Sequence, residues 1–296
     1  MRSISAPSTD PEIIMSKLTT VALAGALVAG GAVAAPKGEV LVLLSSENQL
    51  ALKGGKHYPT GYYLNEFGVP ADQLLKAGYT LVLVTPKGNA PSVDERSVDP
   101  MYFGGDQAEM LRIRQVVENL PGIHDTLSLK EVLAGDLGRY AGIFIPGGHA
   151  PLIDLANNPE VGALLRHFHQ AGKPTAAICH GPITLLSAQQ DPFAYRAALA
   201  RGEAPAASDW SYQGYRMTIF SDPEEQVFEG SLEGERLQFY PAKAMAGAGG
   251  DMSYADAWKP HVVVDRELIT GQNPFSDKAL AKALLEKLGQ EDNNGG

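Results

Sequence analysis

Four apolar runs of strand length, almost free of polar interruption, constrain this chain more than any other feature. They are Glu39–Ser46 (EVLVLLSS), Tyr79–Pro86 (YTLVLVTP), Ala141–Gly148 (AGIFIPGG) and Pro174–Cys179 (PTAAIC). A strand with one solvated face alternates apolar and polar residues, whereas a continuous run suits a strand buried on both faces, as in a parallel sheet. Stretches with helical spacing separate the runs: NEFGVPADQLLKAG, DQAEMLRIRQVVENL and PEVGALLRHFHQAGK. In the last of these, Val161, Leu164, Leu165 and Phe168 share one face, and Ala171-Gly172 supplies the C-terminal stop. Strands alternating with helices predict an α/β fold, doubly wound, with a mostly parallel sheet and helices on both faces. Near the end, HVVVDRELITG reads as a hairpin-like pair or one interrupted strand. NPFSDKALAKALLEKLG reads as a helix with Ser276 as N-cap and Gly289 as stop, followed by a disordered tail over 290–296. The stretch 190–214 is too long for an ordinary connection and is expected to hold a short helix and a lid over the site.

The first 34 residues have the layout of a secretory signal. Lys17 precedes a run of small and apolar residues that ends in Ala32-Val33-Ala34, an A-x-A cleavage pattern. The run is too weakly hydrophobic for a membrane anchor, which needs about 20 strongly apolar residues. Met15 is a candidate start. Cleavage after Ala34 leaves one domain over 35–296, exported to the periplasm or secreted. The net charge of −10 gives no electrostatic footprint for nucleic acid and disfavours anionic membrane surfaces.

Cys179 is the only cysteine in the chain. Most free cysteines are small buried hydrophobes, but this one closes a strand, and His180-Gly181-Pro182 follows and opens a helix. A sharp strand-to-helix turn presents the intervening side chain at the carboxyl end of the sheet, as in a nucleophile elbow. A helix N-terminus beside the sulfur would favour the thiolate and lower its pKa. The histidines form no i, i+4 pair and no Cys/His cluster, so no metal site and no cofactor are expected.

The segment AAICHGP resembles the cysteine elbow of the DJ-1/PfpI superfamily, which shares the class I glutamine amidotransferase-like, flavodoxin-like fold. TGYYLNEFGVPADQLLKAGYTLVLVTPKG, IFIPGGHAPLIDL, FSDPEE and LITGQNP resemble its Hsp31-like branch, so that the resemblance spans residues 39 to 288. The resemblance implies Cys179 as nucleophile, His180 as its partner, Glu66 as a protonated proton shuttle beside the sulfur, and Glu225 as the acid that orients His180, with Glu224 as the alternative. It implies an oxyanion site at the Gly148 and His180 amides behind Gly147, with His149 lining the same pocket. A two-His, one-Glu metal site of some relatives has no histidine here on the helix after Glu66.

Without the resemblance, Glu66 would pass for a solvated helix residue, Glu224 and Glu225 for an ordinary helix start, and Gly147-Gly148 for a plain turn. His167 and His169 read as surface or rim residues, His57 and His124 as loop residues. Tyr62, Trp210 and Tyr212 either line a lid or simply pack. The function implied is a cofactor-independent glyoxalase III-type lyase that converts methylglyoxal and related α-oxoaldehydes to 2-hydroxy acids through a Cys179 hemithioacetal, with protein deglycation as an extension. The alternatives are a holding chaperone for unfolded or glycated proteins, which would need exposed apolar surface, and a PfpI-type cysteine peptidase; a homodimer is expected in every case. Glutaminase chemistry needs a downstream histidine with glutamate two residues on; His261 is followed by Val262-Val263.

Mass spectrometry of the protein from its native host is expected to find an N-terminus at or near Ala35. A cytoplasmic pool beginning at Met1 or Met15 would overturn the export reading.

Overall fold

The computed structural model describes residues 37–294, with side chains through residue 290. The signal segment expected over 1–34 and residues 295–296 lie outside this range. Each apolar run forms a strand: β1 (Gly38–Leu43), β2 (Tyr79–Thr85), β4 (Tyr140–Ile145) and β5 (Thr175–Ile178). Between β2 and β4, β3 (Leu127–Ser128) is a two-residue edge strand. The late apolar stretch resolves into an antiparallel hairpin, β6 (Val262–Asp265) and β7 (Leu268–Gly271). The seven strands lie in the order β6-β7-β5-β4-β1-β2-β3, and every pairing except β6–β7 is parallel.

The strands alternate in which face they load, as a two-residue period requires. Leu41, Leu43, Ile143, Ile145 and Ala177 point into one core, together with Val161, Leu164, Leu165 and Phe168 of α3 (Pro159–Gln170). Val40, Val42, Phe144, Ala176 and Ile178 point into the other. That second core receives Leu64, Phe67 and Leu74 of α1 (Leu64–Lys76), Met110, Ile113 and Val117 of α2 (Gln107–Glu118), and Leu280, Leu284 and Leu288 of α6 (Asp277–Asn294). Both faces of the sheet are thus covered, which is why its strands carry so little polar residue.

Two expectations are corrected. The last helix does not stop at Gly289 but runs to Asn294, into the tail expected to be disordered over 290–296; Ser276 directly precedes its first residue, Asp277, as expected of an N-cap, although its Oγ donates to Asn273 Oδ1 at 3.2 Å. A glycine in a helix costs only about 1 kcal/mol relative to alanine, less than the packing of Leu280, Leu284 and Leu288 supplies. The 190–214 segment does hold a short helix, α4 (Pro192–Ala200). It packs into the core instead of covering the site: Tyr195, Leu199, Trp210 and Tyr212 are buried, and Trp210 Nε1 donates to Leu185 O at 2.7 Å.

The helix that follows Cys179 lies against α3 through Gly162. A Cβ built there would sit 2.0 Å from the Ser187 carbonyl oxygen. Gly162→Ala is therefore expected to cost about 1–3 kcal/mol through overpacking, read as a lower urea midpoint. An unchanged midpoint would show that α3 and the 181–188 helix can separate freely.

Candidate active site

Cys179 is the residue after β5, and its φ is +57°. A side chain rarely adopts this left-handed conformation outside places where the surroundings enforce it. Here two hydrogen bonds do so. Cys179 N donates to Gly271 O of β7 at 2.8 Å, and Cys179 O accepts from Phe220 N at 3.0 Å. The chain then turns into a short 3-10 helix, Gly181–Ala188. Gly181 is required at the turn, since a Cβ there would lie 2.5 Å from Ile145 O.

The turn aims the thiol at His180 and Glu66. Cys179 Sγ lies 3.3 Å from His180 Nδ1. Glu225 Oε2 accepts from His180 Nε2 at 2.8 Å, which leaves Nδ1 as the acceptor facing the thiol. Glu225 Oε1 meets His149 Nε2 at 2.9 Å. The two imidazoles lie with centroids 3.9 Å apart and planes tilted by 37°, and Phe228 stacks on His149 at 4.0 Å. All three polar groups are buried. Although burial pushes the Glu225 carboxyl up, His180 and His149 outweigh it and bring its pKa down to about 2. Burial, and then His149, holds His180 below the usual imidazole range. At neutral pH the site therefore contains an ionised Glu225 and a neutral, basic His180.

Glu224 does different work. Its carboxylate accepts from Ser221 N and Oγ, Trp258 N, Gln272 Nε2 and Asn273 Nδ2, at 2.6–3.1 Å. It caps α5 (Asp222–Glu229) and ties that helix to the loops after β7 and before β6. It does not touch His180.

Glu66, in the first turn of α1, is fully buried beneath the thiol. Its carboxyl faces Cys179 and the Gly148 N–H without a hydrogen bond of good geometry to either. Burial pushes it well above the usual carboxylate range, which favours the protonated form. Gly147 exists to admit it: a Cβ there would lie 2.3 Å from Glu66 Oε2. Gly148, at φ +82°, would place a Cβ 2.0 Å from Gly61 O. Gly147 thus makes room for Glu66, and Gly148 for the backbone at Gly61. The expected oxyanion donors are arranged unequally, because the Gly148 N–H already faces Glu66. Among the described residues neither the Gly148 nor the His180 N–H donates to a backbone carbonyl.

One expectation reverses in sign. Burial, and then the adjacent Glu66 carboxyl, push the Cys179 thiol up rather than down. Complete desolvation disfavours the anion more than the end of one short helix favours it. The basic group nearest the sulfur is His180 Nδ1, at 3.3 Å.

A cavity of about 210 Å³ opens above the thiol. Cys179, His149 and His180 line it together with Tyr63, Tyr102, Arg96, Phe220, Phe228, Ser231, Trp258 and Pro274. Glu66, Gly147 and Gly148 lie behind the sulfur and not in the lining, and no residue of 190–214 contributes. Sequence reasoning singled out Tyr62 where Tyr63 lines the site, and missed Arg96, Phe228 and Trp258. A signal for Trp258 exists only in three dimensions, where its φ is +66° and its N–H is held by Glu224. His261 lies elsewhere, with Nε2 3.1 Å from Ser253 Oγ. His169 pairs with Glu267 at 2.8 Å. Among the described residues His149, His180 and Glu225 are the one group whose donor atoms converge within 4.8 Å closely enough to ligate a metal. A metal there would have to displace the Nε2 proton that His180 donates to Glu225.

Residues 59–191 match the model of the DJ-1/PfpI family. Over 258 residues the chain is 26% identical to the protein/nucleic acid deglycase HchA of Staphylococcus aureus, covering 85% of this chain and 80% of that protein. Over 263 residues it is 27% identical to HchA of Pseudomonas aeruginosa, covering 84% and 81%. It shares its fold with glyoxalase III from Candida albicans, with a TM-score of 0.63 at 22% identity over 86% of this chain and 98% of that one.

The raised Glu66 pKa has a stability consequence. The carboxyl ionises in the unfolded chain near its usual 4.5 but holds its proton to higher pH in the fold. Its contribution is fully present below that pH and is lost as pH rises toward the folded value. Glu66→Gln removes this dependence. The stability of the variant relative to wild type is expected to rise above pH 4.5 by up to about 1.4 kcal/mol per pH unit, measured by urea unfolding at pH 4 and pH 7.5. A pH-independent difference would mean that Glu66 is ionised in the fold.

Proposed function

We propose, for a chain that resembles the DJ-1/PfpI family across its elbow and the HchA deglycases along most of its length, that it is a cysteine-dependent aldehyde-processing enzyme converting α-oxoaldehydes such as methylglyoxal to 2-hydroxy acids. The observation that carries this reading is the buried, protonated Glu66 placed behind a thiol that has its own separate base. Hydrolysis by a Cys-His-acid triad has no use for a second, neutral carboxyl beside the sulfur. An aldehyde-to-acid isomerisation needs one, because protons must move between two adjacent carbons.

The steps balance within the residues present. His180 Nδ1 takes the thiol proton as sulfur attacks the aldehyde carbon, and Glu66 protonates the resulting alkoxide to give a hemithioacetal. The Glu66 carboxylate then removes the hydrogen from that carbon while protonated His180 delivers a proton to the ketone oxygen, giving an enediol. Glu66 returns a proton to the second carbon and takes the one from the first hydroxyl, leaving a thioester. Water hydrolyses the thioester to the 2-hydroxy acid and free Cys179. The aldehyde carbon is oxidised and the neighbouring ketone carbon reduced, so no external hydride carrier enters. Glu225 keeps His180 in the tautomer that faces the sulfur. The name of the HchA relatives supports an extension to aldehyde adducts on proteins, and it also includes nucleic acid, for which a net charge of −10 offers little attraction. Export to the periplasm or medium is part of the proposal.

Lactate formation from methylglyoxal is expected in the purified wild type. It should be abolished by Cys179→Ser, whose hydroxyl lacks an accessible anion, and reduced about 10²–10⁴-fold by Glu66→Gln in a variant that still folds. Substantial lactate from Cys179→Ser would overturn the reading. So would an inactive wild type that suppresses aggregation of unfolded clients, which would favour the chaperone alternative.

A further inference from the structure

The rim of the cavity carries a cation to which the chemistry above gives no task. Arg96 lies on the single-turn helix Glu95–Ser97. Its guanidinium sits 4.9 Å from the Tyr58 ring centroid and 5.6 Å from that of Phe228. Nη1 donates to Ser231 Oγ at 2.9 Å. A guanidinium has five N–H donors, and the partner here is a neutral hydroxyl. The neighbouring acids are otherwise engaged or turned away. Asp94 is buried and accepts from Tyr58 Oη, Thr60 Oγ1 and the Arg96 backbone N–H, at 3.2, 2.9 and 3.0 Å. Glu95 is exposed, Glu66 is neutral, and Glu225 is committed to two histidines. Among the described residues Arg96 forms no ion pair, and it is the one arginine or lysine in the lining of the Cys179 cavity.

Arg96 is also the one residue that this cavity shares with a neighbouring one. The second, of about 630 Å³, is a groove lined by Asn48, Tyr58, Pro59, Thr60, Val93 and Asp94 among others. A guanidinium stacked on two rings is pre-oriented, so little side-chain freedom is lost when it binds a planar anion in two-pronged fashion.

We propose that Arg96 forms an anion subsite at the mouth of the Cys179 cavity, and that the preferred substrates are α-oxoaldehydes whose far end carries a carboxylate or phosphate. The aldehyde reaches the thiol between Tyr63, Tyr102 and Trp258, and the anionic end stays at the rim on Arg96. The substrate class rests on the isomerase reading above, but the subsite can be tested apart from it.

The test compares alkylation of Cys179 by iodoacetate and by iodoacetamide, which have nearly the same shape and differ in charge. In both, a sulfur–carbon bond forms, a carbon–iodine bond breaks, iodide leaves and the thiol proton is lost. The ratio of the two rates, followed by intact mass, is expected to fall about tenfold or more in Arg96→Gln, as loss of a charge-assisted hydrogen bond implies. A variant that merely loosens the fold moves both rates together. A ratio unchanged between wild type and Arg96→Gln overturns the subsite. For the substrate class, wild type should favour 4-carboxyphenylglyoxal over phenylglyoxal in kcat/KM, and Arg96→Gln should lose that preference. Turnover of both compounds without preference overturns the assigned class. If neither is turned over while the alkylation ratio responds, the subsite stands and the isomerase reading falls.

Discussion

The backbone of Cys179 is held in the left-handed region by two hydrogen bonds, one from its N–H to Gly271 O and one from Phe220 N–H to its carbonyl. The placement of every reacting group follows from this. Such a conformation costs on the order of 1–3 kcal/mol for a non-glycine residue, so it persists only because β7 and the segment before α5 meet at this point. The same Phe220 that pins the elbow precedes Ser221, the start of α5, and α5 brings Glu225 to His180. One junction therefore sets the direction of the sulfur and the position of the acid that orients its base.

Two buried carboxyls on either side of the sulfur take opposite charge states, and their surroundings explain the difference. Glu225 lies between two imidazole N–H groups, whose stabilisation of the anion exceeds the cost of burial. Glu66 has only the thiol and one amide before it, and burial prevails. Separating two acids in this way gives one site both a fixed anion and a proton donor. It also concentrates instability there, because an unsatisfied buried carboxyl opposes folding at neutral pH.

Much of the fold was legible in the sequence because the strands announce burial on both faces and the helices keep a one-sided apolar pattern. Cys179 was legible because a strand, a small turn and a helix start follow one another in seven residues. Glu66 and Glu225 were reached through the family resemblance, since nothing local distinguishes a buried helical glutamate from a solvated one. What could not be read locally arises from distant meetings. Arg96 reaches the cavity by stacking on Tyr58 and Phe228, which lie 38 residues before it and 132 after it in the numbering. The tilt of thiol acidity toward the neutral form depends on how completely the fold closes over the sulfur, which a helix-terminus rule does not weigh. The continuation of α6 past Gly289 likewise depends on leucines that find partners on β-strands far earlier in the chain.

The adjacent pair Glu224 and Glu225 shows how narrowly such a site is specified. Successive residues on a helix point about 100° apart, so the two side chains of this pair must face different neighbours. Glu224, at the third helical position, turns back to its own cap at Ser221 and outward to the amides of Trp258, Gln272 and Asn273. Glu225 turns inward to the histidines. The capping box fixes the helix start to one residue, and that start decides which carboxylate reaches His180. A cap one residue later would present Gln226 to that direction instead, which cannot hold a fixed negative charge, and a cap one residue earlier would present Glu224, leaving the present capping contacts unmade. The acid of the site is thus chosen by the serine that begins its helix as much as by the glutamate itself.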